Sequence, residues 1–368
     1  MTGHSTSGSR DWQPHFPAAA SAASVARVSA SLRPVRGSAE EVLALLREWE
    51  AADSPPPLVI STSGSTGEPK RVVLSRDAMR ASANATHDRL GGPGQWVLNL
   101  PATYVAGLQV LYRCVVAGTE PVVFDGSWST TLAGVTGRCY VSLVPTQLVR
   151  LLHDTACDRE VAALARCTAV LIGGGPLDPR VRDLAEERGL RIVQTYGMSE
   201  TCGGCVYDGI PLAGVEVRVD DGLVLLRGPV LFDGYEGEPE RTAAAMREGW
   251  FVTHDHGHWD DGRLGIDGRA DDVIISGGVK VPARAVAAAV ATHSAVTEVE
   301  VVGVPDDEWG ERVVAVVAAR DPISLAAVRD RVEPRAWAPR QLVVVESLPL
   351  LANGKVDRVA VQELAARG

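Results

Sequence analysis

The sequence predicts an α/β protein: a large N-terminal domain of mixed sheets flanked by helices, followed by a small α+β C-terminal domain. Three observations carry this. A chain of 368 residues is too long for one ordinary core. Apolar runs followed by turn residues and then by helical periodicity recur through the first two hundred residues, most clearly from Val170 to Gly189. In the last hundred residues, Ala-rich helical stretches near 282 to 293 and 324 to 333 alternate with β runs over Val299 to Val304, Val313 to Ala319 and Leu342 to Val345. The expected division is a flexible tail over 1–37, a large domain over 38–270 and a small domain over 271–368.

Composition narrows the function classes. An apolar content of 46% supports a full core, while a net charge of −10 without a basic run argues against a nucleic-acid partner. No apolar stretch approaches the length of a membrane span. Met1 to Ala30 is rich in Ser, Ala and Gly and lacks a cationic start followed by an apolar block, so it reads as a tail rather than a signal peptide. Six scattered cysteines fit reduced thiols and a cytoplasmic protein. Cys202-Gly203-Gly204-Cys205 has redox spacing but no thioredoxin-like surroundings, and a redox or metal role is disfavoured. Oligomeric state is not legible, and a homo-oligomer stays open.

Along the chain, Ser38-Ala39-Glu40-Glu41 is a capping box opening a helix whose Val42, Leu45, Leu46 and Trp49 share one face. Leu58-Val59-Ile60 and Arg71-Val72-Val73-Leu74 read as strands around Thr62-Ser63-Gly64-Ser65-Thr66-Gly67-Glu68-Pro69-Lys70. A loop this rich in Gly, Ser and Thr crowds backbone N–H groups and hydroxyls together and lets a polyanion approach, so it reads as a phosphate cradle. It is not a Walker A loop, and neither G-x-G-x-x-G nor G-x-S-x-G occurs.

Ser75 caps the next helix, which runs through about Leu90. Leu98 to Gly107 reads as a strand running into a loop, with Tyr104 a candidate core aromatic. Val122 to Phe124 reads as a strand, and Tyr140 to Thr146 as another entering a helix that carries Gln147 and Arg150. Val170-Leu171-Ile172 is a buried strand ending in Gly173-Gly174-Gly175-Pro176, with Asp178 capping the following helix. Such a strand, turn and helix is where open α/β sheets bind ligands. Residues 212 to 235 alternate apolar and polar around Asp221-Gly222, a hairpin signal. His254, His256 and His258 alternate along one stretch, and without a cysteine partner nearby they make a poor zinc site.

Lysine usage singles out three positions. Of 36 basic residues only Lys70, Lys280 and Lys355 are lysine, each close to a Gly-rich stretch (Gly67, Gly277-Gly278 and Gly354). Arginine's planar fork does not replace a compact ammonium on a flexible stem, so these three are candidate functional groups.

The run Ser61-Thr62-Ser63-Gly64-Ser65-Thr66-Gly67-Glu68-Pro69-Lys70 resembles the signature of the adenylate-forming superfamily of acyl-CoA synthetases, luciferases and peptide-synthetase adenylation domains. Thr195-Tyr196-Gly197-Met198-Ser199-Glu200, Gly268 to Lys280 and Leu348 to Arg358 resemble further motifs of that superfamily, with Leu351 where a threonine is usual. The resemblance implies ATP, Mg²⁺ and coenzyme A as co-substrates of a small carboxylic acid. It implies that Gly173 to Pro176 with Thr195, Tyr196 and Gly197 flank adenine, that Glu200 takes Mg²⁺, and that Asp255 with Arg269 holds the ribose side. A hard cation on a triphosphate suits one carboxylate plus phosphate and water oxygens. A solvated surface acid remains the other reading of Glu200.

The resemblance also implies Lys355 as the catalytic cation at the α-phosphate, Asp271 as the hinge of a mobile C-terminal domain, and Ser276, Gly277, Gly278 and Lys280 as a loop near CoA. Tyr104 would border the acyl pocket, where histidine is common. Residues 140 to 150 and 196 to 205 are similar to the o-succinylbenzoate:CoA ligases of menaquinone biosynthesis. An acid of that kind carries a second carboxylate, and Ser142, Arg150 and Ser199 with Tyr104 are the candidate acid-binding residues; an exposed helix arginine is the other reading of Arg150. The expected activity is an AMP-forming acid–thiol ligase. The alternatives are another acyl- or aryl-CoA ligase and a catalytically silent nucleotide-binding module.

Overall fold

A computed structural model describes residues 32–62 and 70–367, which belong to one compact unit. The centre is a seven-stranded sheet ordered Ile210–Pro211, Gly203–Tyr207, Ile192–Met198, Ala169–Ile172, Cys139–Leu143, Gln95–Leu98, Val122–Val123. The last five are parallel, and the first two complete one edge antiparallel. Parallel strands covered on both faces carry near-continuous apolar runs, as here. Their alternation still sorts the side chains. Trp96, Leu98, Tyr140, Ala169 and Leu171 enter one core with the helices Ala39–Ala51, Arg76–Arg89 and Val105–Ala117. Val97, Cys139, Val141, Leu143, Val170 and Ile172 enter a second core with Pro145–His153, Asp158–Leu164 and Pro179–Glu187.

A four-stranded sheet of Arg33–Pro34, Leu58–Thr62, Lys70–Leu74 and Gly234–Tyr235 adjoins the first core. Its first pair is parallel and the others antiparallel. Thr62 pairs with Lys70, so the expected cradle joins two neighbouring strands; Ser63, Gly64, Ser65, Thr66 and Gly67 lie outside the described residues. Arg33–Pro34 is a correction to the expected tail: Arg33 pairs with Leu58 and Val35 is buried, so sheet structure begins before residue 38.

An antiparallel sheet follows, built from Glu216–Asp220, Leu223–Arg227, Met246–Arg247, Trp250–Asp260 and Arg263–Arg269. Its first hairpin turns at Asp221-Gly222, both with positive φ, as a tight two-residue turn requires. The last sheet contains Val273–Ser276, Val279–Pro282, Val296–Asp306, Gly310–Ala319 and Gln341–Val345, the final strand being parallel to its neighbour. Alternation again splits it: Val301, Val313, Ala315 and Val317 face Ala283–Ala291, while Val302, Val304, Val314 and Val316 face the terminal helix Arg358–Arg367.

Two further elements depart from expectation. The strand over Leu98 to Gly107 ends at Leu98, and helix begins at Val105 with Tyr104 as its N-cap. Gly107 permits this, because a Cβ there would come within 2.3 Å of the Pro101 carbonyl oxygen. The helix expected near 324 to 333 is the shorter Leu325–Arg329.

Candidate active site

The carboxyl ends of the parallel strands, the Gly173–Pro176 turn and the hairpin Trp250–Arg269 converge with the segment 350–357. The strand order reverses between Gln95–Leu98 and Cys139–Leu143, the switch point at which open sheets form a ligand crevice. Asn99, just past the first of these, donates from Nδ2 to the Ser142 carbonyl at 2.9 Å. A cleft of about 430 Å³ lies beside it, lined by Leu98, Asn99, Pro101, Thr103, Phe124 and Ala352 among others.

Glu200 sits in a one-turn helix, Ser199–Thr201, that stops at Cys202 in the left-handed region. Two buried side chains hold that stop: Ser82 Oγ and Gln109 Nε2 donate to the Cys202 carbonyl at 3.0 and 2.8 Å. The carboxylate is buried, and Tyr235 donates its hydroxyl to Oε1 at 2.8 Å. Oε2 takes no hydrogen bond among the described residues, so one oxygen is anchored and the other is available. That donor set fits a hard divalent cation shared with phosphate oxygens. Burial and the neighbouring Glu200 both raise the Tyr235 pKa, which keeps the phenol protonated as donor. The Lys70 ammonium lies 5.6 Å from the centroid of the same ring, so Tyr235 links the end of the cradle to Glu200.

Tyr196, in the strand Ile192–Met198, donates its hydroxyl to Asp255 Oδ2 at 2.8 Å. Asp255 is buried, and its backbone pairs with Arg269, whose guanidinium stands 3.8 Å from Oδ1. Thr253 Oγ1 accepts from the Asp255 N–H and donates to the Val224 carbonyl, fixing the strand locally. Burial, followed by the Asp255 charge, raises the Tyr196 pKa. Aromatic ring, carboxylate and guanidinium thus meet although they come from sequence positions far apart.

Lys355 reaches this cluster from the terminal segment. The loop closes on itself through Leu351 N–H to the Lys355 carbonyl and Gly354 N–H to the Leu351 carbonyl, both 2.8 Å. Thr146 Oγ1 donates to the Gly354 carbonyl at 2.8 Å. The lysine stem lies against Gly174, which has φ +81°, and a Cβ at Gly174 would stand 2.6 Å from Lys355 Cε. The residue is exposed, while the Gly174 turn crowds its stem and amine on one side. Desolvation there, then repulsion from Arg269, lowers its pKa from the ordinary lysine value. Among the described residues no carboxylate comes within ion-pair distance of it. Arg358 anchors the following helix to Asp272 and, at 3.2 Å, to Glu300.

The remaining expected site residues are spread more widely. Gly173 packs on Thr195, whose hydroxyl donates to the Ile172 carbonyl. Gly175 and Pro176 are exposed beside the turn, and Gly197 lies in strand pairing with Gly204. Ser199 accepts the Cys202 N–H at its carbonyl. Asp271 lies in the short helix Ala270–Asp272, between the two sheets it was expected to hinge. Ser276 is buried, Gly277-Gly278 forms a hairpin tip, and Lys280 is exposed beyond it. Arg150, expected at the acid, donates to Glu298 at 2.9 Å. Cys202 and Cys205 are fully buried free thiols, and burial pushes Cys205 up to about 12. Tyr235 was not singled out in the sequence; the signal that could have found it is Gly234-Tyr235, an apolar pair after a turn, able to extend the cradle's own sheet.

Fold and cluster define a nucleotide-dependent activating enzyme. Residues 18–236 match the family described as AMP-binding enzyme, and residues 285–355 match the AMP-binding enzyme C-terminal domain; the chain belongs to this family. It is 45% identical to a protein named probable 2-succinylbenzoate–CoA ligase from Mycobacterium tuberculosis, over 87% of this chain and 88% of that one. It is 34% identical to the 2-succinylbenzoate–CoA ligase of Escherichia coli K12, over 83% of this chain and 68% of the relative. Among solved structures it resembles the o-succinylbenzoate CoA synthetase of Bacillus subtilis in complex with its acyl-adenylate intermediate, with TM-score 0.70 and 28% identity, over 83% of this chain and 68% of that one. The same synthetase in complex with ATP and magnesium aligns with TM-score 0.69 and 28% identity, over 82% and 69%.

Proposed function

We propose that this chain is an ATP-dependent, AMP-forming acid–CoA ligase that converts 2-succinylbenzoate to its CoA thioester for menaquinone biosynthesis. The observation that carries the reading is the approach of Lys355 to the Gly174 turn, close enough to Arg269 to feel its charge. The names of the relatives, and the complexes of the Bacillus subtilis synthetase with acyl-adenylate and with ATP and magnesium, support the same chemistry.

A carboxylate does not acylate a thiol at neutral pH, because its oxygen leaves poorly. In the first half-reaction a carboxylate oxygen attacks the α-phosphorus of ATP and the bond to pyrophosphate breaks, leaving acyl-AMP. We assign Lys355 to the negative charge that builds on the α-phosphate, and Lys70 with the cradle from Thr62 onward to the departing phosphates. Glu200, steadied by Tyr235, would hold the Mg²⁺ that offsets phosphate charge. Asp255 would accept the ribose hydroxyls, with Tyr196 against adenine. In the second half-reaction the CoA sulfur attacks the acyl carbon, AMP leaves with the bonding pair, and the thiol proton is lost to solvent.

Withdrawal of Lys355 for the second step would come from rotation of residues 271–368 about Asp271, bringing the Ser276 to Lys280 hairpin toward CoA. The separateness of the apolar cores supports this division: among the described residues, two hold no residue beyond Ile266 and the other two none before Ile274. Free cysteines support a cytoplasmic setting.

Pyrophosphate release measured with 2-succinylbenzoate, benzoate and a fatty acid, with and without CoA, tests the assignment. The highest kcat/KM is expected with 2-succinylbenzoate, and thioester only when CoA is present. Equal kcat/KM for the three acids would overturn the substrate; no pyrophosphate with any acid would overturn the activity.

A further inference from the structure

The helix Pro145–His153 carries Thr146, Arg150 and His153 at spacings of four and three residues, so they share one face. Each contacts a different C-terminal segment. Thr146 Oγ1 donates to the Gly354 carbonyl at 2.8 Å, Arg150 Nε to Glu298 Oε1 at 2.9 Å, and Arg320 Nη2 donates to His153 Nδ1 at 2.5 Å. Glu298 Oε2 also accepts the Leu348 N–H at 2.9 Å, tying the strand Val296–Asp306 to the segment that leads to Lys355. Since no core among the described residues crosses from one side to the other, these contacts can part without exposing a shared apolar interior.

We propose that this helix face is a polar latch that keeps Lys355 over the Gly174 turn, and that Arg150 and Glu298 are positioning residues whose pairing sets the balance between acid activation and thioester formation. The proposal rests on the two half-reactions assigned above and goes beyond them in naming what holds the first arrangement. Arg150 lies on the exposed side of the helix with its fork committed to Glu298, while Glu298 itself is nearly covered. One ion pair of this kind shifts an equilibrium by a small factor, so the latch releases as readily as it forms.

The test uses the whole protein with Arg150→Gln, Glu298→Gln and the charge exchange Arg150→Glu with Glu298→Arg. Three readouts are taken: pyrophosphate release without CoA, CoA-dependent breakdown of synthetic succinylbenzoyl-AMP, and amide hydrogen exchange over 350–357 in the ligand-free protein. Each single variant is expected to slow pyrophosphate release about two- to fivefold, leave adenylate breakdown at or above the parent rate, and speed exchange over 350–357. The charge exchange restores the ion pair but not an acceptor for the Leu348 N–H, so it should recover part of the loss. A raised KM for the acid in Arg150→Gln but not in Glu298→Gln would make Arg150 a substrate ligand and overturn the latch. Equal slowing of both half-reactions, or no recovery on charge exchange, would also overturn it. Failure of the parent to activate any acid would instead defeat the functional reading, and hydrogen exchange would still decide the latch.

Discussion

Lys70 and Lys355 are supported in opposite ways. Lys70 opens a strand of a continuous sheet, pairs across the loop with Thr62, and leads into Val72 to Leu74, all buried. Its ammonium stands over Tyr235, which belongs to the same sheet and is bonded to Glu200. Among the described residues Lys355 lies in no strand: its loop is fastened across to the first part of the chain by the Thr146 hydroxyl and a close fit against glycine, with the Arg150–Glu298 pair steadying the segment before it. A group required throughout a reaction can be built into the core, whereas one required for a single step is better delivered on contacts that break. The roles proposed above for Lys70 and Lys355 match this difference in support.

The largest test of this contrast is Lys355→Ala. Acyl-adenylate formation should fall by about 10²–10³-fold, the scale for losing one transition-state charge stabiliser, while CoA-dependent breakdown of supplied acyl-adenylate persists. Loss of both half-reactions together would show that the delivered lysine is needed throughout. Tyr235→Phe probes the built-in side. It frees the anchored oxygen of Glu200, and the Mg²⁺ requirement for pyrophosphate release should rise about tenfold, as for other outer partners of metal-binding carboxylates; an unchanged Mg²⁺ titration would remove Tyr235 from the site.

A smaller effect concerns charge alone. In the role proposed for it, Lys355 stabilises phosphate charge only when protonated, so activation should be present below its pKa and lost as pH rises through it. Arg269 lowers that pKa, second to desolvation. In Arg269→Gln the alkaline limb of the pyrophosphate-release profile should therefore move to higher pH, whatever happens to its height; a limb that stays in place would separate the two groups.

Much of this arrangement was legible because local chemistry announces it. Ser38 and Glu41 form their reciprocal cap, and Asp178 caps a helix with Pro179 at its first position. The buried strand before Gly173 needs no distant partner to be recognised. Lysine scarcity marks Lys355 without reference to the fold. What escaped depends on chain separation or on missing periodicity. Tyr235 matters because its short strand pairs with Val72, far back in the chain. The helix Val105–Ala117 is buried from Gly107 to Cys114, its polar Gln109 and Arg113 included, so it lacks the broad solvent-facing polar stripe that marks an amphipathic helix. Arg150 looked free to meet a substrate, since nothing near it in sequence reveals Glu298.

The meeting of Lys355 with Gly174 gives the site a sense of clearance. The lysine stem takes up the room that any side chain at position 174 would claim, so turn and tail fit as key and keyhole with a tolerance of one methyl group. The glycine thus makes room for the Lys355 stem as well as bending the chain, and a side chain at 174 would close that room.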